Sequence, residues 1–235
     1  MGPSKPKGLS QTRKGGYIGA NHRPKGAMMS DTVELPQLYL ITPADFEIST
    51  FTPRLAACLD AVPVACVRLS MATRDEDRLG RAADALRELT HERDIALVIE
   101  SHVLLAERHG LDGVHLIDGA RSVKMVRKQL GDDAIVGTFC RGSRHDGMTA
   151  GELGADYISF GPAGISTLGT GEQADTELFQ WWSQMIEVPC VAEGALDHDT
   201  IRALTPYTDF FGIGDEIWKQ DDAAAALRAI RAVMG

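Results

Sequence analysis

The segment from residue 64 to residue 100 shows the unit from which the chain is built. It opens with the apolar run Val64–Ser70, VACVRLS, and continues with Arg74–Glu92, RDEDRLGRAADALRELTHE. In this second stretch apolar residues recur every three or four positions and charged residues fill the opposite face, as in an amphipathic helix. A second apolar run, Ala96–Glu100, ALVIE, ends the segment. The order strand, helix, strand predicts a β/α unit with parallel strands.

The same alternation continues from residue 37 to the end of the chain. Eight short apolar runs occur, each followed by a helix-like stretch: Gln37–Thr42, Val64–Ser70, Ala96–Glu100, Gly113–Leu116, Ile135–Cys140, Tyr157–Gly161, Cys190–Glu193 and Asp209–Gly214. The number of units, eight in about 200 residues, is typical of a (β/α)₈ barrel. We therefore predict an α/β fold, a TIM barrel that forms a single domain over residues 33–235. In this fold the residues after each strand build the active site.

Residues 1–32 differ in composition from the rest of the chain. The chain has 24 basic and 33 acidic residues, and this segment holds six of the basic residues and only one of the acids. It lacks hydrophobic periodicity, so we expect a disordered basic arm, with Met28 or Met29 as an alternative start. The remaining 18 basic and 32 acidic residues give the predicted barrel a net charge of −14. Such a charge disfavours nucleic acid as a partner.

Composition also predicts the compartment. No apolar run approaches the roughly 20 residues of a membrane span, and the N-terminus has no continuous apolar signal segment. The four cysteines are scattered without a CxxC pair: Cys58, Cys66, Cys140 and Cys190. We therefore expect a cytoplasmic protein with no membrane partner, no disulfide framework and no zinc site. The chain has no P-loop, no GxGxxG after a strand, no GxSxG and no HExxH.

Five strand segments carry a family resemblance. In order and spacing they resemble strands one, four, five, six and seven of the thiamine phosphate synthase and thiazole tautomerase family: Leu38–Thr42 (LYLIT), Gly110–Leu116 (GLDGVHL), Ile135–Gly137 (IVG), Gly154–Pro162 (GADYISFGP) and Pro189–Gly194 (PCVAEG). The resemblance implies a barrel whose synthases join a pyrimidine methyl diphosphate to a thiazole phosphate, which releases pyrophosphate. It also implies Mg²⁺ and cationic side chains on the departing diphosphate, and a phosphate cradle of backbone N–H groups late in the barrel.

The positions that the family uses for the diphosphate are altered in this chain. Where the second strand of the family presents Gln, Arg and Lys at alternate positions, this sequence has Arg68, Ser70 and Ala72. The loop after the sixth strand, residues 163–171, contains no lysine. One lumen cation is therefore expected where the family has two.

The Mg²⁺ ligands of the family are also missing from their own positions, which hold Ser101 and Ala120 here. Glu100 and Asp118 stand beside these positions and could replace the ligands only if the geometry shifted. We therefore assign no metal ligand, expect no certain cofactor, and keep Mg²⁺ as an open alternative.

The resemblance implies a phosphate cradle at the ends of strands seven and eight. The expected phosphate-binding residues are Gly194, Ala195, Gly212 and Gly214. Two acids follow them, Asp215 and Glu216. Acids at the start of a helical turn stabilise it and compete with an anionic ligand, so both a capping role and a competing role remain open.

Candidate side chains for chemistry fall on four strands. Arg68 and Glu100 are expected to be neighbours at the barrel mouth and to act in catalysis, and His115, in strand four, to contact the substrate. After strand five, His145 is a candidate acid or base for catalysis. Ser143 and Arg144, in the same segment, are expected to bind the substrate. In the alternative interpretation Ser143 caps the next helix, and Arg144 and His145 belong to its solvated first turn.

We therefore expect a thiamine phosphate synthase-like barrel that acts on a small phosphorylated thiazole or pyrimidine in thiamine biosynthesis or salvage. One alternative enzyme is a metal-independent thiazole tautomerase that uses His145 with Glu100 or Glu193. The other alternative is a non-catalytic barrel that binds a ligand or a partner protein. The sequence leaves homo-oligomerisation open.

Overall fold

Eight parallel strands close into one barrel in the computed structural model, which describes residues 35–164 and 173–235. The strands pair in chain order, and β8 pairs with β1. Their bounds are β1 Gln37–Ile41, β2 Val64–Leu69, β3 Ala96–Glu100, β4 Gly113–Leu116, β5 Ile135–Phe139, β6 Tyr157–Phe160, β7 Cys190–Glu193 and β8 Phe210–Ile213. The predicted (β/α)₈ barrel is confirmed. The predicted arm, residues 1–32, lies outside the described residues.

Helices follow the strands and cover the outside of the barrel. They are α1 Ile48–Ala61, α2 Glu76–His91, α3 Val103–His109, α4 Val123–Leu130, α5 Arg144–Glu152, α6 Thr176–Met185, α7 His198–Leu204, α8 Asp215–Trp218 and α9 Ala223–Val233. Four residues of the apolar stripe predicted for α2 are buried, Leu79, Ala82, Ala83 and Leu86. The fifth, Leu89, is half-buried and packs against the same core. In the described part of the chain, no helix combines the length and the apolarity that crossing a membrane requires.

Side-chain oxygens define the start of several helices. Asp75 accepts a hydrogen bond from the backbone N–H of Arg78 at the start of α2, and Asp222 accepts one from Ala225 at the start of α9. These bonds satisfy N–H groups that have no partner within the helix. The caps therefore fix the residues at which α2 and α9 begin.

The register places inward-facing side chains in layers. Arg68 pairs with Val98 of β3, and the same face continues through Gly113 to Ile135. A closed barrel of this kind staggers by roughly one residue per strand, so alternate strands share a layer. With that stagger, the strand pairings place four residues in one layer beneath the barrel mouth: Arg68, His115, Ser159 and Gly212.

Candidate active site

An ion pair crosses the lumen at the barrel mouth. Arg68 is 5% exposed, and its guanidinium donates from Nη1 to Oε2 of Glu193 at 3.1 Å and from Nη2 to Oε1 at 3.3 Å. The expected neighbourhood of Arg68 and Glu100 is confirmed, because Arg68 Nε lies 3.8 Å from Glu100 Oε2. Glu100 also accepts a hydrogen bond of 2.9 Å from Ser70 Oγ. One cation therefore faces two carboxylates, and the cluster carries net negative charge.

The charge of Arg68 is secured by its neighbours. Burial of the guanidinium opposes its charge, but the nearby Glu193 carboxylate, the Tyr39 and Tyr157 rings and Glu100 outweigh burial and raise the pKa of Arg68 above its ordinary value. The guanidinium also lies 5.8 Å from the centroid of the Tyr39 ring. Arg68 is thus a fixed cation, already engaged by protein carboxylates.

A chain of three aromatic side chains lies beneath the ion pair. The hydroxyl groups of Tyr39 and Tyr157 are 2.8 Å apart, and the Tyr157 hydroxyl lies 2.9 Å from Nδ1 of His115. Burial raises the pKa of both tyrosines, and burial together with the charge of Arg68 lowers the pKa of His115 well below its ordinary value. Gly137 makes room for this arrangement, because a Cβ there would lie 1.9 Å from Cζ of Tyr157. The side chains of these three residues are therefore uncharged at physiological pH.

Three buried polar atoms in the described residues have no hydrogen-bond partner: Arg68 Nε, His115 Nε2 and Ser159 Oγ. All three belong to the single lumen layer defined above. The fourth member of that layer is Gly212, where a Cβ would come within 2.9 Å of the Glu193 Cβ. Buried polar groups almost always find a partner, in the protein, in water or in a ligand. Among the described residues, this layer therefore concentrates the buried polar atoms that no protein group satisfies.

The segment after β5 forms the capped start of a helix. Ser143 accepts a hydrogen bond of 3.1 Å from the backbone N–H of Asp146, and the guanidinium of Arg144 lies 5.0 Å from the centroid of the Trp181 ring. His145 is exposed in the first turn of α5. Within residues 35–164 and 173–235, no hydrogen bond or ion pair joins His145 to Arg68 or Glu100. These contacts match the alternative interpretation of the sequence, in which Ser143 caps the helix.

The residues expected to form a phosphate cradle lie at the end of β8 and in the loops after β7 and β8. Gly194 and Ala195 follow β7 with φ of 86° and 55°, so Ala195 holds a left-handed conformation that glycine adopts more readily. A carboxylate bonds to backbone N–H groups of both loops. Glu216 Oε2 accepts a hydrogen bond of 2.8 Å from the N–H of Gly214, and Oε1 accepts one of 3.1 Å from the N–H of Leu196. A carboxylate of the chain therefore engages backbone donors of both loops.

Two more residues with side chains hold positive φ at the barrel mouth. Ser101 follows β3 with φ of 59°, and Arg141 follows β5 with φ of 53°. Together with Ala195 they mark the ends of three odd-numbered strands. Backbone strain of this kind clusters at functional sites, and no pattern in the sequence revealed it.

The carboxylates near the mouth do not fit a protein-built Mg²⁺ site. In the two described segments, no three metal-ligating side chains are grouped so as to hold an ion. Glu100 already bonds to Ser70 and faces Arg68, and Asp118 Oδ2 accepts a hydrogen bond of 2.6 Å from Ser122 Oγ. A cation beside Glu100 would also face the guanidinium of Arg68.

The chain is similar in sequence to a family of known proteins. The profile described as thiamine monophosphate synthase matches residues 38–208. A thiamine-phosphate synthase of Rhodospirillum centenum is 41% identical over 194 residues, which cover 81% of this chain and 93% of the relative. One of Erythrobacter litoralis is 37% identical over 203 residues, with 84% and 95% covered.

Solved structures agree on the architecture. Thiamine phosphate pyrophosphorylase from Pyrococcus furiosus superimposes with a TM-score of 0.73 at 20% identity, covering 84% of this chain and 95% of that structure. Orotidine 5'-phosphate decarboxylase from Pyrococcus horikoshii superimposes with a TM-score of 0.61 at 13% identity, covering 83% and 97%. At these identities the likeness establishes the barrel fold. By its sequence, this chain belongs to the thiamine monophosphate synthase family.

Proposed function

We propose that this chain is a thiamine phosphate synthase-type transferase that acts on a phosphorylated thiazole or pyrimidine in thiamine biosynthesis or salvage. Family membership supports the reaction class. The observation that carries the proposal is the lumen layer in which Arg68, His115 and Ser159 each keep a buried polar atom without a partner. A heterocycle with ring nitrogens and an exocyclic polar group would supply donors and acceptors to such a layer.

The charges at the mouth favour one half of the reaction. When the pyrimidine loses diphosphate, the C–O bond breaks and a cation stabilised by the ring remains. The thiazole nitrogen then attacks, a C–N bond forms, and pyrophosphate leaves. Glu100 and Glu193 outnumber Arg68, so the cluster stabilises the developing cation. The neutral state of His115 lets it bond to a ring without adding positive charge.

The same two carboxylates destabilise the departing diphosphate, which is also negatively charged. Arg68 is the cation that this chain retains on the inner face of β2, and its guanidinium is already held by Glu193. Departing diphosphate carries several negative charges and needs preorganised cations or donors. We therefore propose a synthase with slow turnover, because departure of the diphosphate is poorly stabilised.

The direct test incubates the full chain with both thiamine precursors, with and without Mg²⁺, and measures thiamine phosphate and pyrophosphate. We expect stoichiometric formation of both products, at well below about 1 per second. Turnover at ordinary enzyme rates would contradict slow diphosphate handling. Failure to form either product would contradict the proposed transferase activity. The thiazole tautomerase and the non-catalytic barrel would then be the remaining hypotheses. The exposed position of His145 lends the tautomerase no support.

A further inference from the structure

Glu216 ties together two loops that meet at the end of the barrel. Its two carboxylate oxygens accept from two backbone donors, Gly214 N–H at 2.8 Å and Leu196 N–H at 3.1 Å. Gly214 follows β8, and Leu196 belongs to the loop after β7. A side chain that only capped its own turn would not need the second donor, which comes from a residue 20 positions earlier.

These donors lie where barrels of this kind bind phosphate. The phosphate site in such folds is formed by the loops after strands seven and eight. Carboxylate and phosphate are both anions that accept short hydrogen bonds from backbone N–H groups. The carboxylate of Glu216 therefore makes the bonds that a phosphate oxygen would make.

We propose that Glu216 is an intramolecular competitor for the phosphate cradle, and so a specificity-determining residue. A ligand's phosphate gains the Leu196 and Gly214 donors only by displacing this carboxylate. Glu216 thereby weakens binding of a phosphorylated ligand relative to the same ligand with a free hydroxyl group. The identity of the organic ligand rests on the proposed function, whereas the competition for phosphate does not.

The structure offers the displaced side chain a place to go. A surface cleft of about 960 Å³ adjoins the cradle, and Leu196 and Glu216 are both part of its wall. Arg202 also lines the cleft, although it already pairs with Asp199 at 2.7 Å. Several further carboxylates line the same cleft, among them Asp197 and Asp222. Like charges disfavour the displaced position, so they hold Glu216 in the cradle.

The test compares the wild type with Glu216→Ala and Glu216→Gln by calorimetric titration. The probes are inorganic phosphate, a thiazole phosphate and the corresponding thiazole alcohol. We expect both variants to bind inorganic phosphate and the thiazole phosphate about tenfold more tightly or better. Alanine releases both backbone donors and the negative charge, whereas glutamine, whose amide has a single acceptor oxygen, releases the charge and one donor. Affinity for the alcohol should stay within about twofold.

Asp215→Asn is the matched control. Asp215 neighbours Glu216 in the chain and pairs with Lys219 at 2.8 Å on the surface, so its neutralisation removes the same charge without freeing the cradle. We expect it to change phosphate affinity by less than about threefold. If both Glu216 variants bind phosphate no more tightly than the wild type, or if Asp215→Asn has an equal effect, the proposal is overturned.

A second variant and a second measurement keep the test of Glu216 decisive. If Glu216→Ala does not fold, Glu216→Gln carries the comparison, because it preserves the shape of the side chain. Phosphate should also raise the unfolding temperature of the Glu216 variants more than that of the wild type. If no form binds the thiazole or makes thiamine phosphate, the proposed function fails, while the titration with inorganic phosphate still decides the role of Glu216.

Discussion

Arg68 and Glu193 face each other across the barrel, from β2 and β7, and form a two-point ion pair of 3.1 and 3.3 Å. The strands β1 and β8 lie between them in the sheet, so the side chains meet through the lumen. The pair is 6% and 13% exposed at its side chains. It therefore links opposite walls of the barrel and neutralises the retained lumen cation of β2.

Removal of one partner should destabilise the barrel more than removal of both. Glu193→Met leaves a buried guanidinium with Glu100 at 3.8 Å, and Arg68→Met leaves two carboxylates without their cation. We expect each single change to lower the free energy of unfolding by about 3–5 kcal/mol and the double change to lower it by less. Urea unfolding at neutral pH measures all three. Arg202→Met, which breaks the exposed pair with Asp199, should stay within about 1 kcal/mol. Additive losses in the double variant would show that the two charges do not depend on each other.

Acid should destabilise the fold through His115. Burial and the charge of Arg68 lower its pKa well below the ordinary value, so the folded state resists protonation. Below about pH 6.5 the unfolded state binds a proton that the folded state does not, so the free energy of unfolding falls by up to about 1.4 kcal/mol per pH unit. Above that pH this residue makes no pH-dependent contribution. The loss grows until pH falls to the lowered pKa of the folded state.

Urea unfolding at several pH values between about 5 and 7.5 checks this effect. His115→Gln should flatten the slope, because it removes the group whose pKa differs between the folded and unfolded states. A folded-state NMR signal showing that His115 becomes charged at about pH 6 would contradict the expectation.

The thiols should be inert in the folded protein. All four cysteines are free and buried, and burial raises the pKa of the Cys140 thiol to about 12. At about pH 8 only roughly one Cys140 in ten thousand is then ionised, and the thiolate is the reactive form. We expect no reaction with a thiol-specific disulfide reagent within minutes, and reaction of all four thiols after unfolding in guanidinium. Rapid labelling of the native chain would indicate that a strand or helix opens readily.

Sequence reasoning located the elements because their signals are local. The apolar run at Val64–Ser70 needs no tertiary information, and the family resemblance placed Arg68 at a position that faces the lumen. Because β2 and β3 are adjacent, Arg68 could then be predicted to lie near Glu100. The capping role of Ser143 was one of two interpretations, because a sequence shows which residues follow a strand but not which way they point.

The contacts that define the site depend on distant pairings. Tyr39 and Tyr157 meet over 118 positions of the chain, and Glu193 reaches Arg68 across the lumen. No local pattern encodes such pairs, since they follow from register, stagger and side-chain length together. The bonds of Glu216 show the same limit. Its charge beside the cradle was visible in the sequence, but the two donors that it engages were not.

The last prediction restores the missing cations. The resemblance assigns Arg and Lys to the positions of Ser70 and Ala72, and Ser70 already bonds to Glu100 at the mouth. An arginine at position 70 would therefore meet Glu100 and the incoming diphosphate. Loss of one preorganised cation or donor in such a transition state costs about 3 kcal/mol, roughly a hundredfold in rate.

We expect Ser70→Arg combined with Ala72→Lys to raise the rate of thiamine phosphate formation by about tenfold or more. Glu88→Lys is the control for charge, because it adds the same two positive units on the exposed face of α2. Initial rates of pyrophosphate release, at saturating precursors, separate a faster chemical step from tighter binding. An equal gain with Glu88→Lys would assign the effect to net charge alone. No gain in either variant would mean that Arg68, Glu100 and Glu193 already form a complete diphosphate site of a different design, in which added cations have nothing to stabilise.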